Sequence, residues 1–191
     1  AVGDKVEVMV DANSAWSVSE AVERCKEFRD EFYVMLVEEP VPGDDIEALA
    51  QVRSAVSGVP IAAGENLYGA RAFCRLLESR AADVVQPDIT KVGGFSGQRL
   101  ACSLASSYRV PYMPHFFGSA VGLSATLHAF AAIPGGLMVE WDITPNPLRE
   151  ELTIPRLQPV SGRAEVPQGP GLGVELDPDV VNRYKVDITI P

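Results

Sequence analysis

The sequence predicts an α/β fold: repeating strand–helix units forming part of a TIM-type (β/α) barrel. Three observations predict it. Asp11, Glu38 and Glu65 stand 27 residues apart, and each ends a short apolar run (VEVMVD, YVMLVE, PIAAGE). Asp88 closes VVQPD 23 residues later, His115 closes VPYMPH another 27 on, and Glu140 closes GLMVE. The apolar runs are nearly continuous, as expected for parallel strands covered on both faces, and a helix-like segment follows almost every one. Such a barrel brings the carboxyl ends of its strands together on one face, where its active site is built.

The elements follow in order. The first unit is a strand at 6–10 and a helix at 18–32, whose start carries Ser17 and Glu20 as a capping box. The second is a strand at 33–37 and a helix at 46–56, opened by Asp44 with Glu47 and stopped by Ser57-Gly58. The third pairs a strand at 60–63 with a helix at 70–79. The fourth pairs a strand at 83–86 with a helix at 96–108, after the glycine pair Gly93-Gly94. The fifth is a strand at 111–114 with a helix at 122–132, and the sixth a strand at 137–140. A helix after each strand means right-handed crossovers within one sheet. Residues 1–142 are therefore expected to form the barrel portion. Residues 143–191 hold eight of the fifteen prolines and no sustained helical period, which predicts a strand-and-loop tail packed over other structure.

At 191 residues the chain supports a substantial core but is short for eight strand–helix units, which take roughly 250. A net charge of −10 with no long Lys/Arg run argues against nucleic acid or an anionic membrane as partner. No apolar stretch approaches the roughly 18 residues of a membrane span, and AVGDKVEV does not read as a signal peptide. Cys25, Cys74 and Cys102 are odd in number and fall in helix-like segments. They read as reduced thiols of a cytoplasmic protein.

The strand-end residues point to chemistry. Asp11, Glu38 and Glu65 offer only hard oxygen ligands, and the chain has just two histidines, which disfavours zinc or iron held by clustered imidazoles. Convergent carboxylates repel one another unless a cation lies among them, and Mg²⁺ suits a few carboxylates with the remaining positions left to water and substrate. Asp88 and His115 sit on neighbouring strands at the same end. A carboxylate on one imidazole nitrogen fixes the tautomer and raises basicity, which suits a general acid/base near neutral pH. His128, within the helical LHAFAA segment, reads as structural.

Asp11-Ala12-Asn13, Glu38-Glu39-Pro40, Gly64-Glu65-Asn66, Pro87-Asp88 with Lys91 and Gly93-Gly94, Pro114-His115-Phe116 and Glu140-Trp141-Asp142 together resemble the barrel of the enolase superfamily, in its mandelate racemase/muconate lactonizing enzyme family. GPGLGVELD is similar to that family's closing segment, and the resemblance covers residues 4–184. It implies that Asp11, Glu38 and Glu65 bind Mg²⁺ and that Asp88 and His115 form a catalytic dyad. It also implies that Glu140 donates a hydrogen bond to a substrate carboxylate oxygen. Glu39 is expected to support the site, and Asn13 and Lys91 to bind substrate or to brace its surroundings.

The family's pattern also has an N-terminal α+β capping domain and two earlier strands, the second bearing a lysine base for the opposite face of the substrate. Lys5 lies six residues before Asp11, at the wrong end of its strand to replace that base. The resemblance thus implies strands three to eight of a (β/α)7β barrel plus the tail, incomplete alone and homo-oligomeric in the complete enzyme. The activity implied is Mg²⁺-dependent removal of the proton α to a carboxylate through an enediolate. Acid-sugar dehydration is the leading expectation. Racemisation or epimerisation of a 2-hydroxy acid is the alternative, and a non-catalytic truncated fragment the reading from a different class. Family members that carry out cycloisomerisation or dipeptide epimerisation have a lysine where Asp88 stands, which counts against those reactions.

Overall fold

The structure is a computed structural model that describes residues 2–3 and 5–186. Asp4, where the resemblance begins, and residues 187–191 of the expected tail lie outside the described residues. The chain divides into two compact units, one of Ala1–His115 with Gly135–Met138 and one of Phe116–Pro134 with Val139–Pro191.

The first unit is the repeating strand–helix part. Strands β1 (Met9–Asp11), β2 (Leu36–Glu38), β3 (Ile61–Ala63) and β4 (Val84–Val85) form one parallel sheet in chain order. Parallel bridges from Val85 to Tyr112 and from Tyr112 to Gly136 extend it to six neighbouring runs. The fifth and sixth predicted strands are therefore single-residue bridges, and the sixth pairs at Gly136, just before the predicted 137–140. The register sets Asp11 opposite Glu38, both as the last residues of their strands. Side chains two apart on a strand share a face. Met9 and Leu36, two before Asp11 and Glu38, pack with Ala62, Val84 and Met113 in one apolar cluster. The cluster takes one residue from each of five adjacent runs, and the strand-end acids lie just beyond it.

Helices α1 (Val18–Glu27), α2 (Ile46–Ala55), α3 (Gly69–Glu78) and α4 (Gly94–Ser107) alternate with these strands. The capping box of α1 is present: Ser17 Oγ accepts from Glu20 N–H, and Glu20 Oε2 accepts from Ser17 N–H. The expected helix to residue 32 ends as α-helix at Glu27. Phe28–Phe32 winds on as a π-helix turn that Tyr33 closes at φ 52°. The predicted cap of α2 is corrected by one residue, because Asp45 Oδ1, not Asp44, accepts from Ala48 N–H. Only Asp44 has a glutamate three residues on, but both acids are good caps, and the turn selects Asp45. Opposite the site, Asp83 Oδ2 accepts from Ile61 N–H and Oδ1 from Arg53 Nε. This contact ties α2 to the starts of β3 and β4.

The second unit contains α5 (Ala120–Ala132), α6 (Pro147–Glu150), an antiparallel pair of β5 (Thr153–Ile154) and β6 (Glu175–Leu176), and α7 (Pro178–Tyr184). The tail was expected to have strands and loops only. It also carries two short helices, each begun by a proline at its first turn and capped by Asn146 or Asp177. Phe116, Leu123, Leu127 and Leu157 form the core of this unit. His128 Nε2 lies 3.1 Å from the Leu172 carbonyl, a contact that suits a structural histidine. Among the described residues no helix is long and apolar enough to cross a membrane. Cys25 and Cys102 are buried free thiols, and Cys74 is half-buried.

Candidate active site

The loops at the carboxyl ends of β1 to β4 carry the candidate residues of the first unit. Three of the non-glycine residues with positive φ lie there: Asn13 (45°), Ser14 (61°) and Glu39 (32°). Such conformations cost on the order of 1–3 kcal/mol each and collect at functional loops. Gly64 (φ 131°) turns the chain from β3 to Glu65; a Cβ there would lie 3.2 Å from Gln86 N, so the close approach of β3 and β4 requires glycine.

Asp88 and His115 are brought together. His115 Nδ1 lies 2.8 Å from Asp88 Oδ2, and the two residues are 8% and 1% exposed. The other Asp88 oxygen, Oδ1, accepts from Thr90 N–H at 2.7 Å and from Thr90 Oγ1 at 2.6 Å. Burial pushes the Asp88 carboxyl up, but the hydrogen bonds from His115 and Thr90 outweigh it and hold the acid below its ordinary range. Asp88 is therefore a carboxylate, and because it can only accept, it takes its hydrogen bond from Nδ1–H of His115. His115 Nε2 faces Glu65 Oε2 at 3.3 Å, so the imidazole bridges the acids that follow β3 and β4.

Glu65 is held in turn. Its Oε1 accepts from Asn66 Nδ2 at 3.1 Å; the same amide nitrogen donates to Glu39 Oε2 at 3.1 Å, and Lys91 Nζ donates to Asn66 Oδ1 at 3.2 Å. Ser14 Oγ also donates to Glu39 Oε2. Glu39 is 2% exposed, and its Oε1 has no hydrogen-bond partner among the described residues. Burial, and then the charge of Glu65, push its carboxyl above the ordinary range against the Ser14 and Asn66 hydrogen bonds. A Cβ at Gly43 would fall 2.1 Å from Glu39 Oε1, so Gly43 leaves the room that this carboxyl fills. Asn13 turns back on Asp11, with its N–H on Oδ1 at 2.8 Å and its Nδ2 on Oδ2.

Asp11 and Glu38 thus end, and Glu65 follows, three adjacent parallel strands at one end, an all-oxygen donor set suited to a hard divalent cation. By donor chemistry the set is of the kind Mg²⁺ takes. Its side chains are drawn to protein neighbours, Asp11 to Asn13 and Glu65 to Asn66 and His115. Among the described residues no three His, Cys, Asp or Glu side chains are gathered closely enough to hold an ion. Glu140 belongs to the second unit, where its Oε2 accepts from Phe116 N–H at 2.9 Å. Sequence reasoning left out Thr90, Ser14 and the bridging role of Asn66. Thr90 had a signal: a hydroxyl residue two after an aspartate is the pattern of a side-chain-capped turn.

Comparison with known proteins gives the family. Residues 1–180 match the family model "Enolase C-terminal domain-like". The chain belongs to that family, within the mandelate racemase/muconate lactonizing enzyme group. It is 32% identical to the D-galactarolactone cycloisomerase of Agrobacterium fabrum over 97% of this chain and 51% of that protein. It is 33% identical to the D-xylonate dehydratase of Haloferax volcanii over 98% of this chain and 45% of that protein. Among solved structures, a protein of Bordetella bronchiseptica RB50 assigned as a mandelate racemase and solved with 2-oxoglutarate/phosphate superposes with a TM-score of 0.91. It is 37% identical, over 98% of this chain and 50% of its own. The chain spans about half the length of the curated relatives it matches.

Proposed function

We propose that this chain serves Mg²⁺-dependent removal of a proton α to a carboxylate, in the dehydration of an acid sugar to a 2-keto-3-deoxy acid. The observation that carries the reading is the continuous chain Thr90–Asp88–His115–Glu65, which joins a buried acid/base pair to one of three strand-end carboxylates. Asp11, Glu38 and Glu65 would hold Mg²⁺. When bound, the ion supplies Lewis-acid stabilisation of the negative charge that builds on the substrate carboxylate as the α-proton leaves. Asp88 anchors Nδ1–H, which leaves His115 Nε2 as the atom that accepts or donates a proton. In dehydration the α-carbon loses its proton, the β-carbon–oxygen bond breaks, and the leaving hydroxyl takes a proton and departs as water. The enol that remains tautomerises to the 2-keto acid.

Dehydratases and cycloisomerases both stand among the relatives, and the Asp88–His115 pair favours dehydration, since the family's cycloisomerases are expected to carry lysine at that position. A screen of the full-length protein against acid sugars, with Mg²⁺ and with chelator, tests the reading. Metal-dependent formation of a 2-keto-3-deoxy acid is the expected result. Inversion at the α-carbon without loss of water makes the protein a racemase or epimerase. No reaction with any acid sugar counts against catalysis.

A further inference from the structure

The geometry points to Asn66 as a positioning residue, set by Lys91 and Glu39, that fixes Glu65 against His115. This inference rests on the reading of Glu65 as a cation ligand and His115 as the acid/base. A primary amide has two N–H donors and a carbonyl oxygen, and Asn66 uses both protons and the oxygen on charged or acidic groups. Its Nδ2 protons go to Glu39 Oε2 and Glu65 Oε1, and its Oδ1 takes Lys91 Nζ. Aspartate lacks both donors at neutral pH, so it would set three acids together. An aliphatic residue would leave Glu39 and Glu65 facing each other and Lys91 without its anchor.

The order of the amide is fixed by its neighbours. An ammonium can only donate, so the oxygen must face Lys91 and the nitrogen must face the two acids. With Oε1 of Glu65 held by Asn66, Oε2 is the oxygen left beside His115 Nε2, at 3.3 Å. Lys91, six residues after β4 through the turn at Asp88, and Glu39, immediately after β2, thereby set an acid that follows β3. Residues that orient metal-binding carboxylates change affinity or activity by about 10–100-fold when removed.

The test uses the full-length protein with Asn66→Ala, Lys91→Met and the double variant, each checked for folding by thermal melt. Mg²⁺ affinity is read by calorimetry, kcat and KM on the acid substrate, and the imidazole ¹⁵N spectrum at one pH. His128, whose Nε2 lies 3.1 Å from the Leu172 carbonyl, is an internal control. In Asn66→Ala the His115 Nε2 resonance should move while that of His128 stays. Mg²⁺ affinity and kcat should fall about 10–100-fold, with little change in KM. Lys91→Met should show a smaller loss in the same direction, and the double variant should be no worse than Asn66→Ala alone, because both act through one amide. Unmoved His115 with wild-type Mg²⁺ affinity in Asn66→Ala overturns the inference. Multiplying losses with a raised KM in the double variant also overturn it, making Lys91 a group that contacts substrate directly. If the wild type itself binds no Mg²⁺, the proposed function fails separately. The imidazole spectrum then decides for or against Asn66 alone.

Discussion

Asp88→Asn should invert the tautomer of His115 while leaving the site assembled. Thr90 N–H can only donate, and it lies 2.7 Å from Asp88 Oδ1, so the amide oxygen of the variant must take that position. The amide nitrogen then replaces Oδ2, 2.8 Å from His115 Nδ1. Two donors cannot face each other, so Nδ1 must give up its proton, and the proton the ring keeps sits on Nε2, where it points at Glu65 Oε2. The ring is then unable to accept a proton at Nε2. Positioned acid/base catalysis contributes about 10²–10⁴-fold, and the same substitution in serine protease triads costs about 10⁴ in kcat. We expect a loss within that range. The three hydrogen bonds to the carboxylate each weaken by about 1 kcal/mol on losing charge, offset in part by the easier burial of a neutral amide. The net cost to folding should be about 1–2 kcal/mol, so the protein remains folded. Kinetics at saturating substrate and Mg²⁺, with the histidine ¹⁵N spectrum, are the assay. Wild-type turnover with the spectrum showing the inverted tautomer would refute the reasoning, because the protonation state of Nε2 would then be irrelevant.

Glu38→Gln should abolish detectable Mg²⁺ binding in calorimetry while circular dichroism shows the fold retained, since one charge and one strong oxygen ligand are removed; unchanged affinity would exclude Glu38 as a ligand. Arg149→Met should destabilise the protein by about 3 kcal/mol in denaturant unfolding, the low end for a broken buried pair, because Asp142 lies on the wall of a cavity of about 470 Å³. The Asp142 carboxyl is opposed by burial but held below its ordinary value by Thr144 and Arg149. Its contribution is therefore complete above the unfolded value of about pH 4 and is lost as the pH falls through the lowered folded value. Alkylation at pH 8 should label Cys74 first, read by mass spectrometry. Burial pushes the Cys25 thiol up to about 11 and the Cys102 thiol up to about 12, so both stay protonated and slow.

Legibility in the sequence followed physical scale. The strand-end acids and the histidine were readable because parallel strands demand apolar runs, and a polar residue closing each run is conspicuous. The Ser17 capping box was readable because all of it lies within four residues. Longer-range choices were not. Asp44 has Glu47 three residues on and Asp45 only Ala48, so the capping box favours Asp44, yet the turn at Pro42 selects Asp45, whose N–H bonds the Pro42 carbonyl. The π-helix turn at Phe28–Phe32 arises where the chain must turn toward β2, and an apolar pattern does not distinguish it from α-helix. The strands proved shorter than their apolar runs because ladder pairing covers only two or three residues of each. Asn66 was hidden for another reason. Its partners Glu39 and Lys91 are 27 and 25 residues away, and only the sheet order brings them to one amide.

The proposed dehydration is tested most directly by ¹H NMR of acid-sugar substrates incubated in D₂O with the full-length protein and Mg²⁺. Metal-dependent loss of the α-hydrogen signal and appearance of a 2-keto-3-deoxy acid are expected. Both should be suppressed by chelator and by His115→Asn, which leaves Asp11, Glu38 and Glu65 in place. Equal turnover in the wild type and His115→Asn, or turnover indifferent to chelator, would contradict the proposal.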